Sequence, residues 1–212
     1  MSDYDEDFWE SLWARTLREH ADVLARRPPN AHLLTEVGGL APGRALDAGC
    51  GHGTESLWLA ARGWQVTAVD FSETALAHAR RRAEAVGPEL AARIEWTPGD
   101  LGIWTPPAAR YDLVVCLYVH VAGAVEGMVR RLASGVAPGG TLLLVGHRPI
   151  DPATGAPTPA AGQNQISVEA AAAALGEGWE LPVAEERPRA AAGSGVDAVI
   201  RAVRGGPPPG AR

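Results

Sequence analysis

Three glycines at alternate positions, within Leu46-Asp47-Ala48-Gly49-Cys50-Gly51-His52-Gly53-Thr54, constrain this chain more tightly than any other segment. They follow residues 44–48, a short stretch that reads as a strand, and open residues 53–62, which read as a helix. Without Cβ atoms the backbone can bend sharply there and approach a ligand that side chains would hold off. A strand, a bare turn and a helix in that order predict that a cofactor lies on the turn.

The rest of the chain repeats the alternation. Strand 65–69 leads to helix 73–86, strand 93–97 precedes strand 111–117, and helix 124–134 leads to strand 141–146. Ser167 caps a helix through Leu175, and strands 179–185 and 196–203 close the series. Strands interleaved with helices of this length pair in parallel through right-handed crossovers. The predicted fold is therefore α/β, a single doubly wound, Rossmann-like, mostly parallel sheet, with its ligand at the carboxyl ends of the strands.

Phe8, Leu12, Trp13, Leu17, Ala21 and Leu24 give residues 7–26 the spacing of an amphipathic helix, with a break near His20 and an end at Pro28 and Pro29. Asn30 caps a second helix through Val37, and residues 1–40 read as an N-terminal helical lid. Residues 149–165 are rich in Pro, Gly, Ala and Thr and read as an active-site loop. The tail 205–212 is expected to be disordered, which leaves one domain over 1–204.

Composition narrows the chemistry. With 212 residues, 46% of them hydrophobic, the chain suits one sizeable core. The formal charge of -6 disfavours a nucleic-acid partner. Every basic side chain among the 19 is Arg, so no Schiff-base amine and no P-loop Lys is present. Cys50 and Cys116 lie in apolar stretches, the N-terminus is acidic, and no apolar run of membrane-spanning length occurs, so a cytoplasmic protein is expected.

The turn also discriminates between ligands. A dinucleotide-binding turn wants Gly or Ala three positions after Gly51, where this chain has Thr54. Asp70 ends the second strand, so its carboxylate faces the same crevice and can accept from two ribose hydroxyls. That describes a nucleoside without a diphosphate.

These residues resemble the class I S-adenosylmethionine-dependent methyltransferases, whose turn reads Asp-x-Gly-x-Gly-x-Gly and whose second strand ends in an acidic residue. Gly99-Asp100-Leu101 looks like the family's third-strand motif, Tyr111 to Cys116 like its fourth strand, and Leu132 to Gly140 like its Leu-x-Pro-Gly-Gly turn. The resemblance implies seven strands with the last reversed. It also implies S-adenosyl-L-methionine as cofactor, with S-adenosyl-L-homocysteine as product. Gly49 and Gly51 would meet the methionine part, Asp70 the ribose, Phe71 and Leu101 the adenine faces, and Asp100 the adenine amine. Asp47, Cys50 and Thr54 would belong to the same turn, with Cys116 on the floor, mainly through its backbone, and Trp13 in the lid. The Trp9 and Trp13 helix and the compact size are similar to the tellurite-resistance and thiopurine-type small-molecule branch.

Methyl transfer from a sulfonium needs alignment more than acid-base help, because the cofactor carries the activation. Where a base is needed, His120 is the candidate, with Tyr118 and His147 beside the acceptor. No Asn-Pro-Pro or Asp-Pro-Pro follows the fourth strand and no acidic cluster suggests magnesium, so metal-independent transfer to an S, N or O nucleophile of a small molecule is expected. The partner is that small molecule, not nucleic acid or a membrane, and the protein is a monomer or homodimer. The alternatives are a non-catalytic nucleoside-binding regulatory module and a tRNA or protein methyltransferase.

Several residues also have plainer readings. Asp70 would cap the next helix with Ser72, Asp100 would steady a loop, and Phe71, Leu101, Trp9 and Trp13 would only pack. His52 reads as exposed, and Arg80-Arg81-Arg82 as a complement to a helix end.

Overall fold

A computed structural model describes residues 6–121, 123–150, 155–157, 164–189 and 195–206, with Glu6 and Asp7 as backbone alone. Most of the expected active-site loop, 151–154 and 158–163, lies outside the described residues, as do 207–212 of the expected tail.

Seven strands form one sheet: β1 Arg44–Ala48, β2 Gln65–Asp70, β3 Ile94–Pro98, β4 Tyr111–Leu117, β5 Val136–His147, β6 Trp179–Pro188 and β7 Val196–Arg204. Their spatial order is β3-β2-β1-β4-β5-β7-β6. The first five run parallel, and β7 runs antiparallel to both β5 and β6. This is the Rossmann-like sheet with a reversed last strand read from the sequence.

Alternation along the strands builds two cores, one per face. Ala45, Val66, Ala68, Leu113, Val115, Leu143 and Val199 pack under α2 (Ala31–Val37), α3 (Thr54–Ala61) and α4 (Glu73–Val86). Leu46, Ala48, Val114, Cys116, Leu142, Leu144, Ala198 and Ile200 pack under α6 (Val125–Ser134) and α7 (Val168–Leu175). The near-continuous apolar runs of β4 and β5 follow from burial on both faces.

Helix α1 spans Glu6–Ala25 and is broken at His20, whose φ is -136° and ψ 22°. It crosses the carboxyl edge of the sheet, where Glu10 accepts from Ser72 Oγ at 2.6 Å and from Thr74 Oγ1, both at the start of α4. Asn30 caps α2 by accepting from His32 N and Leu33 N. One element was not foreseen, the four-residue helix α5 Pro88–Ala91, which Gly87 and Pro88 initiate. Strand β5 also begins before residue 141, because Val136 pairs with Tyr111 ahead of a register shift. No helix among the described residues is long and apolar enough to cross a membrane.

Candidate functional site

The strand order reverses between β1 and β4, and ligands of doubly wound sheets sit at that reversal. A cavity of about 680 Å³ opens there, within the range of small-molecule sites.

Its floor is the glycine turn, whose three glycines all have positive φ. A Cβ on Gly49 would collide with Val119 Cγ2, and one on Gly51 would lie 2.7 Å from Trp13 Cζ2, so side chains of the cavity wall pack directly on bare backbone at both positions. Gly53 has a packing role instead, since a Cβ there would lie 2.8 Å from both Ala79 Cβ and the Trp96 ring. Gly49 N and Cys50 N donate to Val69 O, and Gly51 N donates to Asp70 Oδ2, tying the turn to the end of β2. Asp70 Oδ1 accepts from Ser72 N, so the expected helix-entry role coexists with a place on the cavity wall. Asp100 also does both, lining the cavity while its Oδ1 accepts from Gly102 N at 2.7 Å.

This end of the cavity is acidic, with Asp47, Glu55, Asp70 and Asp100 along it. Burial, then the Glu55 charge, pushes Asp47 up to about 7 against the hydrogen bond from Ser56 Oγ. Burial likewise raises Glu55 and Asp70. Desolvated carboxylates in one pocket favour a cationic ligand, which would relieve their mutual repulsion.

The opposite wall is built from five segments that meet at Asp197 on β7, which has no exposed surface. Tyr118 Oη donates to its Oδ2 at 2.7 Å, and Arg189 Nη2 to its Oδ1 at 3.0 Å. His147 Nδ1 lies 3.1 Å from Oδ1 and His32 Nε2 3.3 Å from Oδ2. Burial alone would raise the Asp197 carboxyl, but these bonds outweigh it and hold the group well below the usual carboxylate range. Tyr118 has a φ of 57°, a strained position for a non-glycine residue, held by that bond, by Asn30 Nδ2 at 3.2 Å and by stacking on His147 at 4.1 Å. Trp9 of α1 stacks on His120 at 5.6 Å, and Gln165 Nε2 meets His120 Nδ1 at 2.8 Å. Burial, then His147, lowers His120.

Of the residues singled out from sequence, Trp13, Asp47, Gly49, Cys50, Gly51 and Asp70 line this one cavity. So do Phe71, Asp100, Leu101, Tyr118, His120 and His147. Thr54 and Cys116 do not. The Thr54 hydroxyl turns to His52 Nε2 and Arg82, and the Cys116 side chain packs in the α6 core on the sheet's other face. Both cysteines are free thiols, and burial holds Cys116 at about 12. His52 is buried, not exposed, because α4 covers it: Arg82 Nη1 donates to His52 O at 2.7 Å. Burial, then Arg82, lowers His52 to about 4. Arg82 thus anchors the turn and does not serve the end of α4. Asn30, His32, Glu55, Gln165, Arg189 and Asp197 were missed. One signal could have found Asp197, an acidic residue in the apolar run Val196 to Ile200 of a central strand.

A doubly wound sheet with a bare glycine turn and acidic strand ends at its reversal point is an architecture that takes its ligand at the carboxyl edge of the sheet. Residues 45–140 match the family model for a methyltransferase domain. It is 35% identical over 157 residues to the ribosomal RNA small subunit methyltransferase C of Chromohalobacter salexigens, covering 65% of this chain and 45% of that protein. It is 34% identical over 136 residues to the ubiquinone biosynthesis O-methyltransferase of Marinobacter nauticus, covering 63% and 56%. The chain thus spans about half the length of the curated relatives it matches. The N-methyltransferase NodS of Bradyrhizobium japonicum, solved with S-adenosyl-L-homocysteine, shares the fold with a TM-score of 0.66 at 19% identity, covering 92% of this chain and 97% of that one.

The residues present fit the family's cofactor, because the turn offers main chain where a Cβ would intrude and the surrounding carboxylates suit a sulfonium and an ammonium. Among the described residues no group of three or more His, Cys, Asp or Glu is arranged to hold a metal ion.

Proposed function

We propose that this chain transfers the methyl group of S-adenosyl-L-methionine to a small-molecule acceptor by in-line displacement, without a metal. The observation that carries the reading is that one cavity joins the glycine turn and its carboxylates to the Tyr118, His120 and His147 wall. Gly49, Cys50 and Gly51 would hold the amino-acid part of the cofactor, and Asp70 its ribose. Asp100, Phe71 and Leu101 would hold the adenine, and Trp13 would close over the turn. When bound, the cofactor supplies an activated methyl on a good leaving group. The protein's task is to align the acceptor with that methyl and exclude water, which the α1 helix does from above.

The net charge of -6 and a cavity of about 680 Å³ favour a small acceptor over a polynucleotide. Full-length protein incubated with labelled cofactor and a panel of thiols, amines, phenols and acids should release S-adenosyl-L-homocysteine above the no-acceptor control, with no loss on adding a chelator. Cofactor binding without turnover on any acceptor would point to a regulatory module. RNA binding with a steep salt dependence would redirect the reading to the substrate class of the ribosomal RNA relative.

A further inference from the structure

The wall around Asp197 fixes which side chain can take a proton, because several of its donors have only one possible direction. Asn30 accepts through Oδ1 from His32 N and Leu33 N, so its Nδ2 must donate to Tyr118 Oη. The phenol hydrogen therefore points to Asp197, and Tyr118, held well above the usual phenol range by burial and that carboxylate, stays a neutral phenol. Gln165 is oriented in the same way. Its Oε1 accepts from His147 N at 3.1 Å, so its Nε2 donates to His120 Nδ1, and that lone pair is engaged.

His147 is placed differently. Its Nδ1 faces the buried Asp197 carboxylate, its ring lines the cavity, and its Nε2 has no hydrogen-bond partner among the described residues. Arg189 Nη2 lies 2.7 Å from the same Nδ1. With Asp197 Oδ1 these atoms form a triangle of nearly equal sides, and the hydrogens of one guanidinium nitrogen cannot point along two sides of it. Arg189 also reaches Oδ1 through Nε at 3.2 Å, and we assign its fork to the carboxylate and the hydrogen between His147 and Asp197 to Nδ1. That tautomer leaves the lone pair on Nε2.

We propose, building on methyl transfer at this site, that His147 is its general base, that Asp197 positions it, and that the acceptor is a planar hydroxyl compound, a phenol or enol. The aromatic faces of Trp9, Tyr118 and His147 favour a flat acceptor, and a hydroxyl is the nucleophile that needs a base near neutral pH. As the acceptor oxygen bonds to the methyl carbon, its proton passes to His147 Nε2, and the electron pair of the breaking carbon–sulfur bond stays on sulfur. The imidazolium then faces Asp197 from β7. The other titratable or charged groups around it are Arg189 beyond β6, Tyr118 and His120 beyond β4, and His32 of α2, which reaches Asp197 from its other side.

The test uses the full chain with S-adenosyl-L-methionine and three phenols of graded acidity (phenol, 4-chlorophenol and 4-nitrophenol) beside thiophenol and aniline. His147→Asn keeps a donor toward Asp197 and removes Nε2. It should lower kcat for phenol about 100-fold with KM nearly unchanged, abolish the fall of kcat/KM toward acid pH, and lose less with 4-nitrophenol, which ionises unaided. Asp197→Asn should move that acid limb to lower pH, whereas His120→Asn should keep it whatever its rate. Nitrogen-15 spectra of His147 in the unmodified protein should show the proton on Nδ1. A proton on Nε2, or a His147→Asn enzyme that keeps its rate and acid limb, would overturn the base assignment. Turnover of thiophenol or aniline with no phenol methylated would overturn the acceptor class while leaving methyl transfer standing. Silence with every acceptor would count against methyl transfer itself, and the nitrogen spectra would still decide the tautomer.

Discussion

Asp47 is a buried carboxyl that costs the empty fold stability. Burial, then Glu55, moves its carboxyl from an ordinary 3.8 to about 7, so the folded chain holds this proton where the unfolded chain has released it. A raised carboxyl makes stability fall as pH climbs between those two values. Asp47→Asn should remove that slope, so melts recorded from pH 5 to pH 8 should show the variant gaining on the parent, at about 2–4 °C per kcal/mol. A cationic cofactor should reverse the shift and release protons near neutrality. Calorimetry in buffers of different ionisation enthalpy should therefore find net release, larger for S-adenosyl-L-methionine than for its product, which lacks the sulfonium charge. Gly51 tests the turn. Its φ of 51° should cost an Ala about 1–2 kcal/mol, beyond the clash with Trp13. Trp13→Ala in the same chain should relieve only the clash, which a double-mutant cycle on stability would separate.

Most elements were legible because their signals are local. Alternation marked the strands, Ser72 and Ser167 announced α4 and α7, and the break at His20 stood in the periodicity of α1. Helix α5 was not legible, being too short to show a period. The seating of α1 was not legible either, since the two carboxylate bonds of Glu10 to Ser72 and Thr74 join residues more than 60 positions apart. Glu10→Ala should therefore free the helix while leaving the sheet intact. We expect faster proteolytic cleavage within residues 6–25 and quicker cofactor release, equivalent to roughly 1–3 kcal/mol of opening free energy, with little change in the melt of the remainder.

Across the whole molecule, the half of the cavity made from the glycine turn was readable, whereas of the half assembled at Asp197 only Tyr118, His120 and His147 were. The glycine turn and Asp70 advertise themselves by spacing. Asn30 and His32, Arg189, and Asp197 come from three separate segments, and His32 meets Asp197 across 165 positions, where only packing can introduce them. The two ends also bias stability in opposite senses. Asp197, held low by its donors, stabilises the fold above its unfolded pKa and loses that contribution as pH falls, whereas Asp47 erodes stability toward neutrality. Thermal scans against pH should accordingly peak on the acid side of neutrality, at about pH 5–6, and a peak above pH 8 would contradict this pairing. The side chain of Asn30 belongs to both the scaffold and the wall, closing the first turn of α2 with its oxygen and steering Tyr118 with its nitrogen. Winding that helix and orienting the Tyr118 phenol are consequently one event, so the early residues of the chain complete this wall only when they have come to rest on strands made much later.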